Sequence, residues 1–235
     1  MKTPRSEQSI QAAIQKRYAI LFGNHNWDIT RLDIVRLSMF ELERGLDRLT
    51  QVRGRDWIRA NLGGARISLG CDHSILGNQF VMKRIFNNRS HAVGDRVYLA
   101  ENFYGHAWQK KSRAKADLWI LHELGHVWDN RSAFGLGSII GGGYSDQLLK
   151  YVGGKVKPFP LLRFIDNSLE IKSEYAFSRS GNLTYGNNSP ADYFANVFVS
   201  AIALPDTPGV PGAAVEWMIE LIRRTTPLPP GGGSK

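Results

Sequence analysis

Residues 121–129 read LHELGHVWD, and no other stretch constrains the fold as tightly. From Lys115 to Asp129 the apolar residues recur with helical periodicity. On a helix, residues four apart stand one above the other on one face. His122 and His126 therefore project together, while Leu121, Leu124, Val127 and Trp128 form an apolar back. Two imidazoles in a core-facing helix need partners, since an unsatisfied buried polar group costs ~1–3 kcal/mol. A hydrogen-bonded buried cluster would satisfy them, and so would a shared metal ion. The HExxH spacing on an apolar-backed helix favours the ion. Glu123 lies about 100° round the helix, placed to reach a water on the metal without ligating it. Zinc lowers the pKa of such a water from 15.7 towards ~7. The glutamate then takes its proton as the water attacks a carbonyl.

A catalytic zinc needs a third protein ligand and an open position. Asp129 lies three residues after His126 on the same face. One helix does not easily wrap three ligands around one ion, so Asp129 is expected to be a structural acid or to sit behind the ligands. Downstream, Glu170, Glu174 and Asp192 remain as candidates. Asp192 has a competing explanation, because Ser189-Pro190-Ala191-Asp192 is also a capping box with an acid at its third position. The single cysteine, Cys71, excludes a cysteine cage and an internal disulfide. His25, His73, His91 and His106 lack a partner at ligand spacing and are expected to be structural or exposed.

Around this motif the chain divides into an α+β pattern. Leu32, Val35, Met39, Leu42, Leu46 and Leu49 recur at three and four, predicting a packing helix over Arg31–Thr50. An earlier helix is expected over Ser6–Leu21. ARISLG and DRVYLAE have strand texture, and HAVGDRVYLAENF (His91–Phe103) is expected to be a turn followed by a strand. Helices are also predicted over Ser145–Val152, from Ser189-Pro190 to Ala203, and over Ala213–Arg224. Residues 1–62 are read as a helical N-terminal region packed on a catalytic domain at 63–226. The tail from 227 to 235 is expected to be disordered.

A net charge of +9 permits an anionic partner, but its densest stretch, Gln109–Lys115, carries only four positive charges. With no helix-turn-helix, zinc finger or glycine-aromatic strand motif, no nucleic-acid partner is expected. No run of ~18 apolar residues offers a membrane span, and the N-terminus lacks the apolar stretch of a signal peptide. A soluble chain is expected, with its location and oligomeric state not indicated.

HELGHVWD followed by LTYGNNSPADYFANVF resembles the zinc peptidase domain of anthrax lethal factor and its relatives. It is also similar to a group of uncharacterised bacterial zincin-like proteins. The likeness covers these two stretches and the strand-like lead-in, about a third of the chain. It implies a zincin-like fold with a helical N-terminal region, a small mixed sheet, an HExxH helix and a second ligand-bearing helix. It also implies a zinc metallopeptidase acting on a peptide or protein substrate. Position by position, the third zinc ligand falls on Asp192, and the second acid of that signature falls on Asn196. The tyrosine that faces the substrate carbonyl falls on Tyr185, where its hydroxyl would stabilise an oxyanion. Asn196 would hold a ligand histidine by its free ring nitrogen or bond Asp192. Val97, Tyr98 and Leu99 would form the sheet edge that receives an extended substrate. Two departures stand out. Asp192 is one methylene shorter than the glutamate of the signature, and Asn196 is neutral. They leave open an alternative, a catalytically degraded domain of this kind that acts by binding.

Overall fold

A pair of serines opens the first helix. In the computed structural model, α1 (Glu7–Tyr18) starts from Ser6, whose hydroxyl accepts the Ser9 amide at 3.2 Å. Ser9 returns the bond by accepting the Ser6 amide at 3.1 Å. The helix stops where Ala19 enters the left-handed region at φ 59°, and the chain turns into β1 (Leu21–Phe22). Asp28 caps α2 (Ile29–Leu49) by accepting the Arg31 amide at 2.7 Å. The stripe of Leu32, Val35, Met39, Leu42 and Leu46 is wholly buried, as its spacing requires. A further helix, α3 (Gly54–Leu62), has no side-chain cap of its own residues' making. Its start is held instead by Asp47, which accepts the Gly54 amide at 2.6 Å. The structure describes residues 6–23, 27–69, 90–99, 113–132, 143–153, 190–203 and 210–227, the side chains of 113–117 aside.

The strands β2 (Arg66–Leu69), β3 (His91–Val93) and β4 (Arg96–Leu99) join β1 in a four-stranded mixed sheet, ordered β1-β2-β4-β3. β1 runs parallel to β2 and β2 parallel to β4, while β3 returns antiparallel against β4. The stretch from His91 is therefore a hairpin rather than a turn and one strand, with Gly94 at φ 57° in its tight connection. This corrects the expectation for Val97, Tyr98 and Leu99. Val97 pairs with Ile67 on one side and Ala92 on the other, and Tyr98 pairs with Ser68 and His91. Leu99 pairs with Leu69. Their strand is interior, so its main chain is already engaged. Among the described residues the outer strand on that side is β3.

Four more helices complete the fold: α4 (Arg113–Ser132), α5 (Tyr144–Tyr151), α6 (Pro190–Ala203) and α7 (Gly212–Arg224). α4 carries the HExxH motif and packs against β3, β4, α2, α3 and, most extensively, α6. One hydrophobic core runs from Ile10 and Leu32 through Ile67 and Val97 to Leu124, Phe198 and Ile222, unbroken at the expected boundary after residue 62. Trp57 sits at its centre, edge-on to Trp128 at 4.9 Å and stacked on Phe198 at 6.4 Å. Its indole donates to the Ile222 carbonyl at 3.1 Å, tying α3 to α7. α6 is buried almost all round, and it meets α2 where Gly45 leaves room for the Ile202 side chain and carbonyl. The fold is thus α+β, rich in helix with one small mixed sheet. Among the described residues no helix is long and apolar enough to cross a membrane.

Candidate metal centre

Glycine in mid-helix costs about 1 kcal/mol relative to alanine, so Gly125 inside α4 calls for a reason. The reason is its neighbour. A Cβ built at Gly125 would lie 3.1 Å from the Ala195 Cα, 3.2 Å from the Phe198 ring and 3.3 Å from the Ala195 Cβ. With hydrogen there instead, α6 lies close against α4 beside the two histidines. That approach carries Asp192 and Asn196, one turn apart on α6, to His122 and His126 on α4.

Three donor atoms converge there. His122 Nε2 and His126 Nε2 are 3.0 Å apart, and Asp192 Oδ1 lies 3.3 Å from His126 Nε2 and 3.9 Å from His122 Nε2. A triangle with those edges has a circumscribed radius of about 2.0 Å, the length of a zinc–nitrogen or zinc–oxygen bond. The three residues can therefore hold a metal ion, each with one donor atom. The histidines are buried, whereas the Asp192 side chain keeps 29% of its surface exposed, so the group opens to solvent on the aspartate side.

Behind the donors, Asn196 Oδ1 lies 2.9 Å from His122 Nδ1. A carbonyl oxygen can only accept, so this bond keeps the proton on Nδ1 and turns the Nε2 lone pair towards His126 and Asp192. Burial, helped by the nearby His126, holds His122 far below the usual imidazole value, at about 3, against the opposing pull of Asp192 and Asn196. Burial also opposes charge on His126, but the hydrogen bond and charge of Asp192, with Glu123 and Asp129 behind them, raise it. A proton on His126 and a cation among the three donor atoms would thus serve one electrostatic purpose, offsetting the carboxylates.

Glu123 is buried beside the group, and its Oε2 has no hydrogen-bond partner among the described residues. Burial pushes its carboxyl up to about 7, with His126 lowering it and Asp192 raising it. Trp119, one turn before His122, sets its ring edge-on to that imidazole at 5.8 Å. Asp129 has a different task. Its Oδ1 accepts the Ser145 amide at 2.8 Å, while Ser132 Oγ accepts the Tyr144 amide at 2.8 Å. The last turn of α4 thereby caps the start of α5, which has no side-chain cap from its own N-cap residue, Gly143. Burial raises the Asp129 carboxyl against the opposing pull of the Ser145 amide.

Two residues beyond Asp129 fix α4 to the hairpin. Asn130 Nδ2 donates to the Gly94 carbonyl at 3.1 Å, and Arg131 binds Asp95 at 2.7 Å. Arg131 also donates to the Asn61 and Gly63 carbonyls at 2.7 and 3.0 Å. The outer strand β3 is thus held alongside the motif helix. His91 on that strand stacks on Tyr98 at 5.0 Å. Tyr185, Glu170, Glu174, Ser189, Cys71, His25, His73 and His106 lie outside the described residues. Gly125 carries the close approach unannounced in the sequence, except by its poor helix propensity on a buried face. Compared with known proteins, the chain matches no family model, no curated protein and no solved structure.

Proposed function

We propose that this chain is a zinc-dependent metallopeptidase of zincin type that hydrolyses peptide bonds with Glu123 as general base. One observation carries the reading: His122, His126 and Asp192 converge from two helices to metal-bonding separation, with a buried, unpartnered glutamate oxygen beside them. Zinc held by these residues would supply Lewis-acid activation of a water and of a substrate carbonyl. Glu123, buried beside the donor group with one carboxylate oxygen unpartnered among the described residues, would accept a proton from the water and return it to the leaving amine. Asn196 keeps His122 in the tautomer that a ligand needs. Asn130 and Arg131 hold the turn of the β3–β4 hairpin against α4, which keeps the sheet beside the motif helix. By the resemblance, Tyr185 would stabilise the developing oxyanion.

The test uses the full chain loaded with one equivalent of zinc and a broad peptide library read by mass spectrometry. Cleavage should stop on adding a zinc chelator and return with zinc. Glu123→Gln should keep the metal and lose cleavage, by about 10²-fold or more. Cleavage undiminished in Glu123→Gln sinks the peptidase reading. Stoichiometric zinc without cleavage in the unmodified chain replaces it with a metal-holding binding domain.

A further inference from the structure

An aspartate in the third-ligand position is short, and the backbone of its helix must come nearer to the histidines to compensate. We propose that the Gly125–Ala195 contact is the positioning device that makes an aspartate sufficient, setting the α4–α6 separation to the reach of Asp192. This inference rests on the zinc reading above.

The tolerances support it. Carbon atoms in contact settle at ~3.5–4.0 Å, so a methyl group at Gly125, 3.1 Å from the Ala195 Cα, would push α6 outward by roughly 0.4 Å or more. The obstructing atom is backbone, not the end of a flexible side chain, so the shift cannot be absorbed by a rotamer change. Metal–ligand distances tolerate deviations of only about 0.2 Å. Asp192 precedes Ala195 by one turn on α6, and Asn196 follows it directly, so both would retreat with the backbone. The far end of α6 is fixed as closely, where Ile202 meets Gly45, which leaves the helix little freedom to pivot back. A glutamate at position 192 would add one methylene and recover the lost reach.

The experiment is zinc affinity by competition with a chromophoric chelator, on the full chain, for the unmodified protein, Gly125→Ala, Asp192→Glu and the double variant. Circular dichroism and thermal melting without zinc report folding. Gly125→Ala should bind zinc at least tenfold more weakly. Asp192→Glu alone should also weaken binding several-fold, because the longer chain must buckle at the native separation. The double variant should bind more tightly than Gly125→Ala. Gly125→Ala binding as tightly as the unmodified chain overturns the proposal, and so does strict additivity in the double variant. Should Gly125→Ala fail to fold, Asp192→Glu decides the matter, and undiminished binding overturns the proposal. If the unmodified chain takes up no zinc, the zinc reading itself fails, which is a distinguishable result.

Discussion

Replacing Asn196 by leucine tests the centre through a residue that touches neither zinc nor substrate. Leucine matches asparagine in size, and α6 is apolar around it, so the helix should still dock. What disappears is the acceptor 2.9 Å from His122 Nδ1. A buried donor left without its acceptor costs ~1–3 kcal/mol. At ~1.4 kcal/mol per decade, zinc affinity should fall by about 5- to 150-fold. The same range is expected where a group orienting a histidine ligand is lost, ~10–100-fold. Asn196→Asp should act in the opposite direction. Its carboxylate accepts the same proton, makes the imidazole more basic, and removes the Asn196 Nδ2 that has no partner among the described residues. Chelator competition gives the affinities directly, and thermal melting gives an independent check. Free zinc at ~100 times its Kd stabilises a protein by about 2.7 kcal/mol, and a hundredfold weaker variant at that concentration gains only ~0.4. Leucine and aspartate variants that both bind zinc within twofold of the unmodified chain would refute the assigned role and the tautomer argument with it.

Two further outcomes follow from residues outside the donor group. Asp129→Ala should destabilise the protein by ~1–3 kcal/mol in urea unfolding, because the Ser145 amide loses its acceptor. Asp129→Asn keeps an acceptor and should lose far less. The second concerns Glu43, which is buried against the Arg17 fork at 2.7 and 2.8 Å and the Tyr18 hydroxyl at 2.6 Å. Burial opposes its charge, but Arg17 and Tyr18 outweigh it and hold its carboxyl below the ordinary value of 4.5. A depressed folded-state value means the stabilisation is present above pH 4.5 and is lost as pH falls through the folded value. The stability gap between the unmodified chain and Glu43→Gln should therefore be open at pH 7 and close as pH falls below 4.5 and through the lowered folded-state value. A gap that widens on acidification contradicts the assignment.

Most of the helices were legible because their burial is local and periodic. The stripe from Leu32 to Leu46 and the apolar back of HELGHVW state which face goes inward without reference to anything distant. α3 was not legible. Its start depends on Asp47 and its fixing on the Ile222 carbonyl, 165 residues away in sequence from Trp57. β1 is two residues long and exists only through its pairing with β2. The strand order fails to show for the same reason, since nothing in RVYL says that β2 will flank it on the other side. The Gly94-Asp95 pair between HAV and RVYL was a usable hairpin signal, and among the described residues it makes β3 the outer strand. At the candidate site, the two histidines and Glu123 are spelled out within five residues, whereas Asp192 and Asn196 become neighbours only through the helix contact at Gly125.

The three donor residues also differ in when they become available. His122 and His126 share one helix and meet as soon as that helix forms, whereas Asp192 arrives only when α6 has been enclosed by its neighbours on nearly every side. A helix so enclosed cannot lift away alone without exposing the ring contacts that Phe194 and Phe198 make with Trp128. An ion held by the three donors would therefore leave through the solvent-facing aspartate side while α6 itself stays docked. Losing the ion and losing the fold would then be separate events: the third donor can let go in the native state, but its place beside the histidines is given up only when the core melts.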